Sequence, residues 1–271
     1  MPDYKNRRAL VTGASAGIGM VFARTLAASG ANLVLTARRK ERLDSLAAEL
    51  SSAHGIKVDT ISADLADPNA PEAIVEEATR GGPIDILINN AGYGLPGYFA
   101  DTAWADQSDF LQVLVTSYAH LTHLVLPGMA ERGFGRIIQV SSVAGLTPGS
   151  AGHTMYGPAK AFLVSFAQSI AAETTEENIH CTALCPGFTY SEFHDVNNTR
   201  KLVSLLPGYM FMQPEPVVTG ALDAVEEGHV VYVPGVWNKT VVSIMRLLPR
   251  PLAATLMKKQ SARFRRRHNT M

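Results

Sequence analysis

The chain has 271 residues, of which 46% are apolar and 18% charged, and its 24 lysines and arginines balance 24 acidic residues. That length suits one large α/β domain, and the apolar share excludes a disordered or fibrous chain. The balanced total gives no whole-chain field to attract nucleic acid.

The predicted elements alternate. Arg8–Thr12 reads as a first strand that enters the glycine-rich turn Thr12-Gly13-Ala14-Ser15-Ala16-Gly17-Ile18-Gly19, with a helix over Ile18–Ser29. Further strands are predicted at Asn32–Thr36, Val58–Ser62, Ile84–Asn89, Gly135–Val140, His180–Leu184 and Val230–Val233. Helices over Leu43–Leu50, Pro71–Thr79, Asp106–Met129 and Tyr156–Thr175 separate most of them, and Pro186–Pro216 is the one long irregular stretch. Strands rich in Val, Ile and Leu with helices between them indicate a Rossmann-like, doubly wound parallel sheet, a three-layer α/β/α single domain.

Cys181 and Cys185 stand four apart on the sixth strand, roughly 13 Å from each other and too far for a disulfide. They read as core thiols of a reducing compartment. The amino-terminal MPDYKNRRALVTG lacks the apolar run of a secretory signal, and no stretch approaches the roughly 20 apolar residues of a membrane span. A soluble, cytoplasmic protein is expected.

Ligands of open α/β sheets bind outside the carboxyl ends of the strands, so the residues just after each strand matter most. In the first turn Gly13 allows a sharp exit from the strand, Gly17 a close backbone approach to a pyrophosphate, and Gly19 tight helix packing. The N–H groups at Ser15, Ala16, Gly17 and Ile18 then face the phosphates at a helix amino terminus. The second strand ends in Thr36-Ala37-Arg38-Arg39, with no acid until Glu41. An acid at this point selects NAD, whereas a cation binds the 2′-phosphate of NADP. Arg38 and Arg39 read either as solvated loop charges or as phosphate ligands, and the strand-end position favours the second, with Arg38 dominant and NADP(H) the cofactor. Asp64-Leu65 ends the third strand, where the acid suits either an adenine amino group or a turn cap. Asn89-Asn90-Ala91-Gly92 follows the fourth, its small residues permitting passage of a ribose while an asparagine ties strands together.

The fifth strand ends in Ser141-Ser142. Tyr156 and Lys160 follow at i,i+4 spacing, which puts both on one helix face. A tyrosine with an ordinary pKa near 10 needs help to exchange protons at neutrality, and a nearby ammonium lowers that value.

Taken together, these residues resemble the short-chain dehydrogenase/reductase family over about residues 6 to 235. The likeness rests on Thr12–Gly19, Asp64, Asn89–Gly92, Ser142, Tyr156-Gly-Pro-Ala-Lys160 and Pro186-Gly187. It implies Tyr156 as general acid/base, Lys160 as its pKa modulator and ribose ligand, and Ser142 as substrate anchor. It also implies that Pro186, Gly187 and Thr189 border the nicotinamide. Two positions depart from the family pattern. Ala16 stands where many NADP-preferring members carry a basic residue, and Leu114 replaces an asparagine thought to hold a helix kink in a proton relay. The competing reading is a non-catalytic NADP(H)-binding regulator on the same fold. The histidines give no metal site: His120 and His123 lack a third ligand at useful spacing.

The stretch after the sixth strand carries Phe188, Tyr190, Phe193, Leu202, Val203, Leu205, Leu206, Tyr209, Met210, Phe211 and Met212, which suggests a bulky hydrophobic carbonyl or alcohol substrate. Family members commonly pair through the two long helices, so a homodimer or homotetramer is expected. Residues 1–239 read as the catalytic domain and 240–271 as a basic amphipathic extension, broken into two segments by Pro249 and Pro251. Eight basic residues and no acid occur from Arg246 onward. Docking on a partner subunit, peripheral membrane binding and partial disorder compete for this tail, and subunit docking is favoured.

Overall fold

In the computed structural model, which describes residues 2–190 and 207–265, the alternation of side chains along each strand divides the core in two. Ala9 and Val11 of β1 (Arg8–Thr12) face one apolar cluster, while Leu10 between them faces the other. The same split recurs in β2 (Asn32–Ala37), with Leu33 and Leu35 against Val34, and in β4 (Ile86–Asn89), with Ile86 and Ile88 against Leu87. A sheet buried on both faces needs apolar residues at every strand position, which is why these strands read as continuous runs.

Together with β3 (Val58–Ser62), β5 (Gly135–Val140), β6 (Ile179–Leu184) and β9 (Val231–Tyr232), they form one seven-stranded sheet in the order β3-β2-β1-β4-β5-β6-β9. All of its pairings are parallel. Helices α1 (Gly17–Ala28), α2 (Lys40–His54) and α7 (Pro214–Glu226) cover one face; they bury Phe22 and Leu26, Leu43 and Leu50, and Val218 and Leu222 respectively. Helices α3 (Ala70–Thr79), α4 (Trp104–Leu111), α5 (Ser117–Arg132) and α6 (Tyr156–Glu173) cover the other with Ile74, Phe110, Leu121 and Val164. The expected three-layer, doubly wound architecture is what the chain adopts. Cys181 and Cys185 are buried free thiols.

Three expectations need correction. The helix read as continuous over Asp106–Met129 is interrupted: α4 ends at Leu111, a π turn occupies Gln112–Thr116, and α5 begins at Ser117. The amphipathic period persists through a widened turn, so sequence pattern alone cannot show it. The stretch Pro186–Pro216 is not wholly irregular, because β7 (Phe188–Thr189) pairs in parallel with β8 (Phe211–Met212) and α7 starts at Pro214. Residues 191–206, including Phe193, Leu202, Val203, Leu205 and Leu206, lie outside the described residues. Helix α8 (Val236–Leu247) spans the boundary drawn at residue 240, and α9 (Arg250–Arg265) follows the break at Pro249. Among the described residues no helix is long and apolar enough to cross a membrane.

The amino end of the sheet holds a cluster of buried ions. Arg136 Nε donates to Glu226 Oε2 at 2.9 Å and its Nη1 to the carbonyl of Asn178 at 2.9 Å, while its guanidinium stacks 4.3 Å from the centre of the Phe134 ring. Tyr4 Oη donates to the other oxygen of Glu226 at 2.8 Å, so this one carboxylate joins the amino-terminal segment, β5 and α7. Removing the cation leaves Glu226 without its charge partner. Arg136→Ala should lower stability by about 3 kcal/mol in denaturant titration. It should leave cofactor binding unchanged, because the cluster sits at the opposite end of the sheet from the site described next.

Candidate active site

The strand order reverses between β1 and β4: β1 leads outward to β2, and the chain re-enters on its other side at β4. A crevice opens at such a switch point beyond the strands' carboxyl ends. Two loops meet there. Gly13 has φ +67°, and a Cβ on it would lie 2.8 Å from both Ala91 Cα and Asn90 Nδ2. Only glycine fits that contact. Asn90 Nδ2 donates to the Thr12 carbonyl at 2.9 Å, and the N–H groups of Asn90 and Ala91 donate to Thr12 Oγ1 at 2.8 and 3.0 Å. Thr12 thus staples the glycine turn to the Asn89–Gly92 loop, a role sequence reading missed because the residue looks like the last member of a strand. Asn89 Nδ2 donates to Gln139 Oε1 at 3.1 Å and ties β4 to β5. At the start of α1 the capping position is Ala16, whose side chain has no oxygen to satisfy the first N–H groups. A glycine cradle facing an uncapped helix amino terminus suits a pyrophosphate.

The strand-end cations reach this cradle differently from expectation. Arg39 leans back across it, its Nε and Nη2 donating to Ser15 Oγ at 3.3 and 3.1 Å. Arg38 Nη1 sits 3.7 Å from Asp64 Oδ2, both side chains well exposed. Asp64 Oδ1 also accepts from the Ala66 N–H at 3.1 Å, so the acid caps its own turn. Leu65 is buried, and its carbonyl accepts from Ser117 Oγ at 2.9 Å.

On the other side of the crevice, β5 ends at Ser141 and Ser142. Ser141 Oγ donates to the Lys160 carbonyl at 2.6 Å, which fixes the first turn of α6 against the strand end. Ser142 Oγ accepts from the Ala144 N–H at 3.2 Å, and it is hydrogen-bonded to Tyr156, the first residue of α6. One turn later Lys160 is 4% exposed, its Nζ donating to the Val140 carbonyl at 2.7 Å and lying 5.8 Å from the Tyr156 ring centre. Ser142, Tyr156 and Lys160 therefore converge as the sequence predicts. Their electrostatics do not. Burial pushes the Tyr156 phenol up to about 12, the hydrogen bond with Ser142 working weakly the other way. Burial likewise pulls the Lys160 ammonium down to about 7. In the protein alone the desolvation of both groups outweighs the attraction expected to lower the phenol.

Leu114 is buried and lies against Gly92, where a Cβ would come within 3.5 Å of its Cγ. It packs. The deformation of the helix is nevertheless present, since the Ser117 N–H bonds back to the Gln112 carbonyl, five residues away. One turn beyond Leu114, the fully buried Tyr118 donates its hydroxyl to the Ala91 carbonyl at 2.7 Å. Burial holds that phenol well above its ordinary value, so it stays a donor. Tyr118 ties α5 to the Asn89–Gly92 loop; its i+4 relation to Leu114 was the signal that could have found it.

Pro186 lies over the same pocket and accepts from the Val143 N–H at 3.0 Å. Thr189 is buried in β7, with its Oγ1 3.3 Å from the Gly187 carbonyl. Gly187 is pressed by Asn238 of α8, whose Nδ2 donates to the Pro234 carbonyl at 2.8 Å. An aromatic cluster follows Gly187 in the chain: Phe188 and Tyr190 lie 5.5 and 5.0 Å from Phe211. Tyr93, a candidate substrate contact, packs edge-to-face on Phe110 at 5.5 Å.

Comparison with known proteins agrees with this arrangement. Residues 7–201 match the short chain dehydrogenase family. Nodulation protein G of Rhizobium sp. (strain N33) is 37% identical over 207 residues, 76% of this chain and 82% of that protein. The very-long-chain 3-oxoacyl-CoA reductase of Anas platyrhynchos is 31% identical over 221 residues, 80% and 68% of the two chains. Among solved structures, a short-chain dehydrogenase from Sphingobium yanoikuyae in complex with NADPH superposes with a TM-score of 0.78 at 29% identity, covering 90% of this chain and 97% of the other. The chain belongs to the short-chain dehydrogenase family.

Proposed function

We propose that the protein is an NADP(H)-dependent oxidoreductase that interconverts a bulky hydrophobic ketone or aldehyde and its alcohol. The observation that carries this reading is the meeting of Ser142, Tyr156 and Lys160 with the glycine cradle at one end of the sheet. Gly13, Ser15, Ala16, Gly17, Ile18 and Gly19 would hold the pyrophosphate, Asp64 and Leu65 the adenine, and Asn90, Ala91 and Gly92 would pass close to a ribose. Lys160 would bind a ribose, and Pro186, Gly187 and Thr189 would border the nicotinamide. When bound, this cofactor supplies or accepts a hydride at the carbonyl carbon. Ser142 Oγ holds the carbonyl oxygen, and Tyr156 Oη gives that oxygen its proton in reduction or removes it in oxidation. In the protein alone a phenol near 12 is protonated at neutrality but only a weak acid, and almost none of it is ionised to act as a base. Oxidation therefore depends on Lys160 keeping its charge near the phenolate. The regulator reading rests on Leu114, and the π turn with the Tyr118 bond weakens it.

Turnover is tested by NADPH oxidation against a panel of ketones, aldehydes and quinones. Tyr156→Phe should lower it by about 10²- to 10⁴-fold while NADPH still binds. Unchanged turnover would remove the mechanism, and tight NADPH binding without turnover would favour the regulator. The pH dependence has a sign. Oxidation needs the ionised phenol and reduction the protonated one, so raising the pH should shift the ratio of the two rates toward oxidation. Lys160→Met removes the charge that favours the phenolate, so its oxidation limb should move to higher pH.

For the cofactor, the cation pair and the absence of an acid on β2 support NADPH over NADH. Arg39 at Ser15 and Arg38 at Asp64 flank the place where a 2′-phosphate would lie, so both contribute. Each charge-assisted contact is worth about 1.5–3 kcal/mol, so Arg38→Ala and Arg39→Ala should each weaken NADPH tenfold or more and leave NADH nearly unaffected. Fluorescence titration of both cofactors checks this; equal affinities in the wild type would defeat it.

The substrate class is supported by Phe188, Tyr190 and Phe211 beside the site, and by the long-chain substrate named for the duck relative. A profile restricted to small, highly charged substrates would exclude it. The outer face of α6 carries exposed Phe162 stacked at 5.5 Å on Phe166, which supports pairing of copies through α5 and α6. Light scattering should give a dimer or tetramer at micromolar concentration, and a mass of 29.1 kDa would contradict it.

A further inference from the structure

Helix α8 packs on one side and carries an exposed apolar row on the other. Its inner side buries Asn238 and Val242, the former against Gly187. On its outer side Val236, Thr240, Ile244 and Leu247 follow at i, i+4, i+8 and i+11, one continuous stripe. Val236 is 82% exposed, Ile244 52% and Leu247 85%. Trp237 borders the stripe, half exposed and edge-to-face with Tyr209 at 5.1 Å. After the break at Pro249, Leu252 and Leu256 of α9 are also exposed, one turn apart. Scattered exposed leucines need no explanation, but an aligned row of them does.

The helix and the segment after it carry charge of one sign along the sequence, although Asp223 and Glu227 of the α7 end line a cavity with Lys239. From residue 228 to the end the sequence holds nine lysines and arginines and no aspartate or glutamate. Lys239 and Arg246 lie along one flank of α8, and Arg250 stands at the corner into α9; all three are exposed.

We propose that the outer face of α8 and the first turns of α9 rest on an anionic lipid surface, with Val236, Ile244, Leu247, Leu252 and Leu256 entering the interface and Trp237 at its edge. An apolar stripe bordered by a tryptophan, with the exposed cations Arg246 and Arg250 on its flank and corner, is the chemistry of a helix lying in an anionic membrane interface. A second copy of the chain fits the same row less well. A two-fold contact through this face would bring together two helices that carry cations and no acid. Because Asn238 on the inner side presses Gly187, the helix that meets the lipid is the one that backs the pocket wall.

Sedimentation of the full-length protein with sucrose-loaded vesicles tests this. Vesicles of phosphatidylcholine with 30% phosphatidylglycerol should carry the protein down, and pure phosphatidylcholine should carry far less. Added salt should release it. Ile244→Glu with Leu247→Glu should lower the partition at least tenfold although every cation remains, with NADPH binding retained as proof of folding. Arg246→Gln and Arg250→Gln should each lower it about fivefold. No binding to anionic vesicles overturns the proposal. So does binding that survives the double glutamate variant, which would assign it to the terminal cations alone. A wild type that ignores vesicles but loses oligomer mass in the double variant would assign the face to a second copy.

Discussion

An amine buried at the end of the sheet sets the terms for everything around it. Lys160 is almost fully enclosed, and enclosure alone pulls its ammonium down to about 7. A cation in that setting persists only where fixed dipoles replace water. The Val140 carbonyl is one such partner, which requires the end of β5 to stay within 2.7 Å of Nζ. The bond from Ser141 to the Lys160 carbonyl and the close fit of Gly145 against the Lys160 backbone enforce that approach. Those constraints in turn set where α6 begins, and therefore where Tyr156 sits relative to Ser142. The reactive geometry follows from the housing of a charge.

The opposite end of the sheet solves a different problem. Glu226 joins Tyr4 and Arg136, while Asp85 accepts from the Arg8 N–H through its side chain and from the Arg136 N–H through its carbonyl, so segments distant in sequence meet there. Strand ends there are closed by paired ions, while at the carboxyl ends the backbone groups of the glycine turn and the first turn of α1 are left for a ligand. One sheet therefore separates stability from chemistry along its strand axis. Substitutions at the amino end are expected to act on folding, and those at the carboxyl end on binding.

Much of this was legible from sequence because the constraints are local. The Val, Ile and Leu runs named the strands, and Gly13, Gly17 and Gly19 between a strand and a helix named the cradle. Tyr156 and Lys160 were readable as an i,i+4 pair. What escaped were contacts between loops far apart in the chain. Thr12 grips Asn90 and Ala91, 78 and 79 residues away, and nothing in its own neighbourhood marks it. The π turn was hidden because a widened turn keeps the apolar period. Leu114 looked like a defect only while helix and loop were considered apart; Tyr118, 27 residues from Ala91, makes the connection. The raised pKa of the phenol in the protein alone was not readable, because spacing reports proximity of a charge but not loss of solvent, and here burial is the larger effect.

Helix α8 draws these levels together. In sequence it straddles the boundary between the family's shared part and the basic tail, and it looked like the start of an appendage. In the fold it is structural on its inner side, where Asn238 occupies the space that a side chain at residue 187 would need. The loop at Pro186 and Gly187 is thus held between the β5 end, through the Val143 N–H, and α8. Residue 187 must therefore be glycine for α8 to pack where it does, because a Cβ there would run into the Asn238 amide. The helix that exposes the apolar stripe on its outer side is thus the one that packs, through one asparagine, against the Pro186–Gly187 loop.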